Sequence, residues 1–285
     1  MPSLDFAQTK MPTPLSRCLL CGSSDIRIVD GKAAECGHCA LLMNMNTKEL
    51  DYSNGGGQSV PDAHKMKWRM LNAEFRFRII RQFLGDHQLF VDVGCGSGEM
   101  LSVSKALFPR HIGFDTNAIL IEHIVNSLRL NAVNSFFNPS LIMEEWRHQP
   151  KVIAVSHVLE HLSEPMALMK KIGAFMMPGD LLYIEVPLYT GQSFSRRKYA
   201  WNLWNPEHLA LYSLTALEFI AAELGLAIVD KNCRIFARGS KSRKTLIKLF
   251  FSSPFMFLYR WATKPSYLSM ADVMIRDYGF IVLKK

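Results

Sequence analysis

Apolar residues recur along this chain in two rhythms, and their alternation predicts an α/β fold. Short apolar runs at Leu89–Val93, Arg110–Phe114, Val133–Phe137, Lys151–Val155, Asp180–Val186 and Leu226–Val229 have the length of buried strands. Between them apolar positions return every three or four residues, as on one face of a helix, at Met100–Leu107, Asn117–Leu130, Ser163–Met177 and Thr215–Leu224, with a shorter piece at Leu141–Arg147. Ser163 is the expected cap of its helix, with Glu164 and Pro165 in the first turn and Pro178-Gly179 as the stop. Strands alternating with helices predict a mostly parallel sheet. A further helix, His64–Leu84, precedes the first strand. Met66, Met70, Phe77, Ile80 and Leu84 mark its apolar stripe, and Lys65, Lys67, Arg69, Arg76, Arg78 and Arg81 are expected to form a solvated face. Val273–Ile275 and Gly279–Leu283 read as a closing hairpin or strand, turned by Asp277 and Tyr278.

Composition adds a second, smaller unit. The 285 residues, 49% hydrophobic, suffice for one large domain and an accessory one. No apolar stretch reaches the ~20 residues of a membrane span, and the first ten residues lack a signal peptide's apolar core. A cytoplasmic location is the expectation. Cysteines in such a chain point to free thiols or metal. Cys18-x-x-Cys21 and Cys36-x-x-Cys39 have the spacing of a structural, closed zinc ribbon around a hairpin of Ile26–Val29 and Ala33–Glu35, with His38 a bystander. Residues 1–16, with Pro2, Pro12 and Pro14, read as a loose arm, and the polar stretch from Leu41 to Gly57 as a joint. The expected organisation is an arm and ribbon over 1–45, a linker and covering helix over 46–85, and the main domain over 86–285. The net charge of +8 would suit nucleic acid, anionic lipid or a phosphorylated substrate, with a solvated basic surface as the default.

The chemistry centres on the bend after the first strand, Asp92-Val93-Gly94-Cys95-Gly96-Ser97-Gly98. A dinucleotide fingerprint would need a glycine where Glu99 stands. The acid-x-Gly-x-Gly-x-Gly pattern instead resembles the first motif of class I S-adenosylmethionine-dependent methyltransferases. The resemblance implies a Rossmann-like sheet, mostly parallel with an antiparallel last strand. It implies that Asp92 meets the cofactor's amino group and that Gly94, Cys95, Gly96 and Gly98 pass beneath its amino-acid and ribose parts. Cys95 is a small filler, not a nucleophile. Asp115, ending the second strand, can accept from two vicinal ribose hydroxyls, with Thr116 beside it. Glu144 or Glu145 is the guess for adenine. Ser156 and His157 follow the central strand, where the methyl group would sit.

His157, Glu160 and His161 follow one another there at helical spacing. The pattern is not His-Glu-x-x-His, a third metal ligand is unidentified, and metal hydrolysis is rejected. From His157 to Val229 the chain resembles a methyltransferase branch with Leu-Glu-His and later Glu-His motifs, including zinc-bearing sugar C-methyltransferases. That resemblance implies His208 as general base, Glu207 as its orienting partner and His161 as a second contact to substrate. The chain departs from those enzymes in its shorter N-terminal module, in lacking their large C-terminal domain, and in Asn205 and Pro206 where they place a tyrosine nearby. The loop 188–205 carries Tyr189, Phe194, Arg196, Arg197, Lys198, Tyr199, Trp201 and Trp204, which could stack on a sugar or base and pair with phosphate. The basic-aromatic insertion at about 238–270 is expected to pack on the core, with membrane contact as the alternative. The expected activity is methyl transfer to a hydroxyl or carbon of a small-molecule or glycan acceptor, lipid-linked if the tail touches membrane. The alternatives are an RNA methyltransferase using the basic surface, which lacks the Asn-Pro-Pro-aromatic motif of base-amine methylases, and a non-catalytic partner that holds the cofactor.

Overall fold

A computed structural model describes residues 15–47, 59–234 and 277–285. The insertion at 238–270, the arm before Leu15, the glycines at 55–57 and Val273–Ile275 lie outside them. Two sheets organise the chain. The larger holds seven strands in the order β10-β11-β8-β7-β4-β5-β6: β4 (Leu89–Val93), β5 (Arg110–Asp115), β6 (Ala132–Asn134), β7 (Lys151–Ser156), β8 (Leu181–Pro187), β10 (Ala227–Arg234) and β11 (Tyr278–Lys284). Strands β6, β5, β4, β7 and β8 are parallel neighbours, and β11 runs antiparallel between β8 and β10. This is the expected architecture. All residues of β4 and β8 are buried, which accounts for their unbroken apolar runs.

Helices cover both faces: α1 (Ala63–Ile80), α2 (Glu99–Ser104), α3 (Ala118–Glu122), α4 (Glu144–Arg147), α5 (Pro165–Phe175), α6 (Gln192–Arg197) and α7 (Leu214–Leu224). Helix α5 begins at Pro165 with Glu164 at its cap, so Ser163 lies one residue outside and does not cap it. Helix α7 is capped by the Ser213 side chain and stopped by left-handed Gly225. Tyr278 opens β11 and does not form a turn; Asp277, beside it, accepts from the Ser193 amide at 2.8 Å.

The smaller sheet belongs to the cysteine module. The expected hairpin forms from β1 (Ile26–Val29) and β2 (Ala33–Cys36), with Ile26 opposite Cys36 and Val29 opposite Ala33. The polar joint expected from Leu41 is interrupted by a third strand, β3 (Leu42–Asn44), all of it buried. That strand pairs with β9 (Ala210–Leu211), which belongs to the main domain, so the module's sheet continues into the larger unit. His38 on the second knuckle meets Phe219 of α7 edge-on at 5.5 Å. The aromatic loop supplies the rest of this joint. Phe194 and Trp201 are buried with Ala33, Leu42 and Leu211, and the Tyr189 hydroxyl donates to Glu35 and to the Ala40 carbonyl. These rings are therefore interior packing between two units, not a stacking surface for a ligand.

Candidate functional site

A cavity of about 400 Å³ opens at the carboxyl ends of β4, β5 and β7. Ligands in such sheets bind at this edge, outside the strand ends where the connections diverge. Its floor is the bend after β4. Gly94 has a φ of +72°, and a Cβ there would stand 2.3 Å from the Val158 side chain. Gly96 has a φ of +53°, and a Cβ would meet nothing within 4 Å, so main chain here faces open space. Cys95 is buried against Gly113, and burial drives its thiol pKa well up, so it is a filler and no nucleophile.

Carboxylates line this end. Asp92 is buried, and burial together with Glu99 and Asp115 raises its pKa to about 8 against the opposing pull of Arg76. Its neighbouring charges are not matched by any hydrogen bond to its carboxylate among the described residues. Asp115 accepts the Gly96 and Asn117 amides, both at 2.9 Å, one on each oxygen. Each oxygen keeps a second lone pair for a hydroxyl. Burial raises the Asp115 pKa, and these amides oppose the shift. Thr116 and Ser156 also line the cavity, and the Ser156 hydroxyl is buried without a partner. Glu144 and Glu145 are exposed on α4 and do not line it; Ser135, Phe136 and Phe137 stand on the Asp115 side instead.

Helix α1 forms the roof, through residues the hydrophobic pattern did not mark. Arg69 donates to Ser97 at 2.7 Å and to Glu99 at 3.2 Å. Arg76, expected on a solvated face, is buried and pairs with Glu185 at 2.8 Å. The signal was present: Asn72 and Arg76 lie four apart beside the buried Ala73 and Phe77, polar residues on an apolar stripe. Glu185, on β8, also accepts the Tyr183 hydroxyl at 2.6 Å and lies 3.1 Å from His157 Nε2.

His157 occupies the left-handed region at φ +59°, a strained position for a non-glycine residue. It is over-determined there. Nδ1 lies 3.0 Å from Glu160, Nε2 bridges to Glu185, and Tyr278 meets the ring edge-on at 5.1 Å. Burial works against its charge, but the two carboxylates prevail and raise its pKa.

His157 and His161 line the cavity, whereas His208 does not. His208 stands behind His161, their rings 4.7 Å apart and nearly perpendicular. It is buried, and burial lowers its pKa to about 4, so it is neutral near pH 7 with Nδ1 unpartnered. Glu207 holds His161 through its backbone carbonyl, 2.9 Å from Nδ1, while its carboxylate is exposed. The orienting role expected of the Glu207 side chain thus falls to its main chain, and toward a different histidine. The segment is positioned from the cysteine module. The Asn44 side-chain amide donates to the carbonyls of Asn205 and His208 at 3.0 and 3.1 Å, and Leu209 N donates to the Glu160 carbonyl at 2.7 Å.

In that module the sulfur atoms of Cys18, Cys21, Cys36 and Cys39 lie within 4.8 Å of one another. Cys18–Cys39 and Cys21–Cys36 are each 3.5 Å apart, far beyond disulfide length. This all-sulfur set could hold zinc.

Comparison with known proteins agrees with this geometry. No curated protein matches the chain. Its fold is shared with a SAM-dependent methyltransferase from Archaeoglobus fulgidus, at 20% identity and TM-score 0.51, covering 78% of this chain and 98% of that one. It is shared also with the complex of a Haloferax volcanii methyltransferase activator and a methyltransferase, at 13% identity and TM-score 0.50, covering 79% and 97%. A family model described as a methyltransferase domain matches residues 74–231, more than half of the 285. The chain belongs to that methyltransferase-domain family, and its fold is that of the class I S-adenosylmethionine-dependent enzymes.

Proposed function

We propose that the protein transfers a methyl group from S-adenosylmethionine to a hydroxyl or carbon of a small-molecule or glycan acceptor. The observation that carries this reading is one cavity lined by the carboxylates of Asp92 and Asp115 and by the imidazoles of His157 and His161. The donor's fit rests on Asp92, Ser156 and the open face of Gly96. Asp92 would take its ammonium, Asp115 its ribose hydroxyls, and Gly94, Cys95, Gly96 and Gly98 its amino-acid and ribose parts, with Thr116 alongside. Phe136, a ring left 47% exposed at the cavity lip, would flank the adenine. When bound, the sulfonium supplies an electrophilic methyl for in-line displacement.

The chain's own residues then align the acceptor and take part in removing its proton. Ser156 and His157 would face the methyl. His161 presents to the acceptor, with His208 behind it. His208, neutral at physiological pH and with a free lone pair, is the candidate base; its depressed pKa makes it a weak one on its own, so the acceptor must be acidified. Cys18, Cys21, Cys36 and Cys39 would bind structural zinc.

Calorimetry with S-adenosylmethionine and its demethylated product tests the reading. Binding is expected in the wild type and is lost in Asp92→Ala. Absence of heat with either compound, on folded protein, would refute it.

A further inference from the structure

The described residues contain a second convergence of ligating groups, chemically unlike the cysteines. One donor atom each from Glu160, His161 and His208 lie within 4.8 Å of one another. Glu160 and His161 each have their other polar atom engaged. Glu160 Oε1 is 3.0 Å from His157 Nδ1, with Glu160 wholly buried. His161 Nδ1 lies 2.9 Å from the Glu207 carbonyl, an acceptor, so that nitrogen carries the proton and Nε2 the lone pair. What is left over is Glu160 Oε2 and His208 Nδ1, both buried and without a hydrogen-bond partner among the described residues. Histidines that bind metals characteristically donate their other N–H to a carbonyl or carboxylate, which sets the tautomer and the ring orientation.

We propose that Glu160, His161 and His208 bind one first-row transition-metal dication behind the cavity wall at His161. Sequence reading stopped at the missing third ligand; His208 supplies it from 47 positions beyond His161, carried there by the Asn44 contacts. Three protein ligands leave coordination positions open, and His161, the one ligand of the three that lines the cavity, marks the side from which an acceptor oxygen would approach. The role follows from the proposed methyl transfer and rests on it. The dication then takes up the His208 lone pair and replaces that imidazole as the means of deprotonation: an acceptor oxygen bound to it would become acidic enough to lose its proton to water, and its attack on the methyl group would form the C–O bond as the donor's C–S bond breaks. The acceptor class narrows accordingly to hydroxyl compounds. The imidazole and carboxylate donors suit manganese, iron or zinc, whereas the four-sulfur site selects zinc.

The experiment is a calorimetric titration with manganese chloride of full-length protein carrying one zinc per chain, enough for the four-sulfur site alone, because manganese competes poorly for thiolates. One manganese per chain is expected. Glu160→Gln and, separately, His208→Gln should each weaken it at least about tenfold. His161→Gln, on the more accessible side, serves if either buried variant fails to fold. No manganese binding by the wild type, or binding unchanged in the folded variants, overturns the proposal. The same samples are titrated with S-adenosylmethionine. Cofactor binding without manganese binding removes the metal site alone, and manganese binding without cofactor binding removes the donor assignment alone.

Discussion

The two ends of the cavity are built on opposite plans. The donor end is local: Asp92, the glycine bend and Asp115 come from one strand-helix-strand passage, and much of its surface is main chain. The acceptor end is assembled from distant pieces. Glu160 and His161 follow β7, His208 precedes β9, and Asn44 reaches in from the cysteine module. A ligand common to many enzymes can be met by a short contiguous motif. An acceptor peculiar to one enzyme is met by side chains that only the tertiary fold brings together.

Four perturbations would sharpen or break that contrast. The largest acts on the link between the ends. Arg76 and His157 share Glu185, so Arg76→Met leaves a buried carboxylate short of its cation. A loss of about 3–5 kcal/mol is expected from urea denaturation, with both ends affected. Next, Asp115→Ala should weaken the donor by about 1.5–3 kcal/mol, the range for hydrogen bonds to a charged group, with little change in acceptor KM. Asn44→Ala should do the reverse. It removes two buried hydrogen bonds to the His208 segment and should cost about 1–2 kcal/mol, read as a fall in kcat at unchanged donor affinity. Equal loss of donor affinity would dissolve the division between the ends.

The smallest effect is a pH dependence. The Asp92 pKa lies near 8 without ligand, and a cationic donor needs the ionised form. Affinity should therefore be level above pH 8 and fall toward lower pH, by up to about tenfold per unit. At pH 7 binding should release close to one proton, measurable as heats that vary with buffer ionisation enthalpy. A pH-independent affinity between 6 and 9 would mean that Asp92 does not touch the donor.

The same contrast governs what could be read beforehand. The central strands, the hairpin of the cysteine module and the glycine bend are each encoded in a few adjacent residues and form close to where periodicity and spacing place them, although β6 stops at Asn134 and β10 runs on to Arg234. Misreadings fall where a residue's role depends on something far along the chain. Leu42–Asn44 looks like a polar joint until β9 pairs with it. Phe194 and Trp201 look like a binding surface until the ribbon covers them. The Glu207 motif comes to lie beside His161, but whether its carbonyl or its carboxylate makes the contact is a matter of backbone path that composition does not carry.

One carboxamide on β3 grips the two carbonyls that shape the acceptor corner. On the proposed reading the cysteine module bears on substrate choice and is more than a detachable stabiliser. A recombination breakpoint between the two would part a hand from what it holds. Retargeting such an enzyme by chimeragenesis calls for exchanging residues 15–47 and 205–211 as a single cassette, leaving the donor half in place.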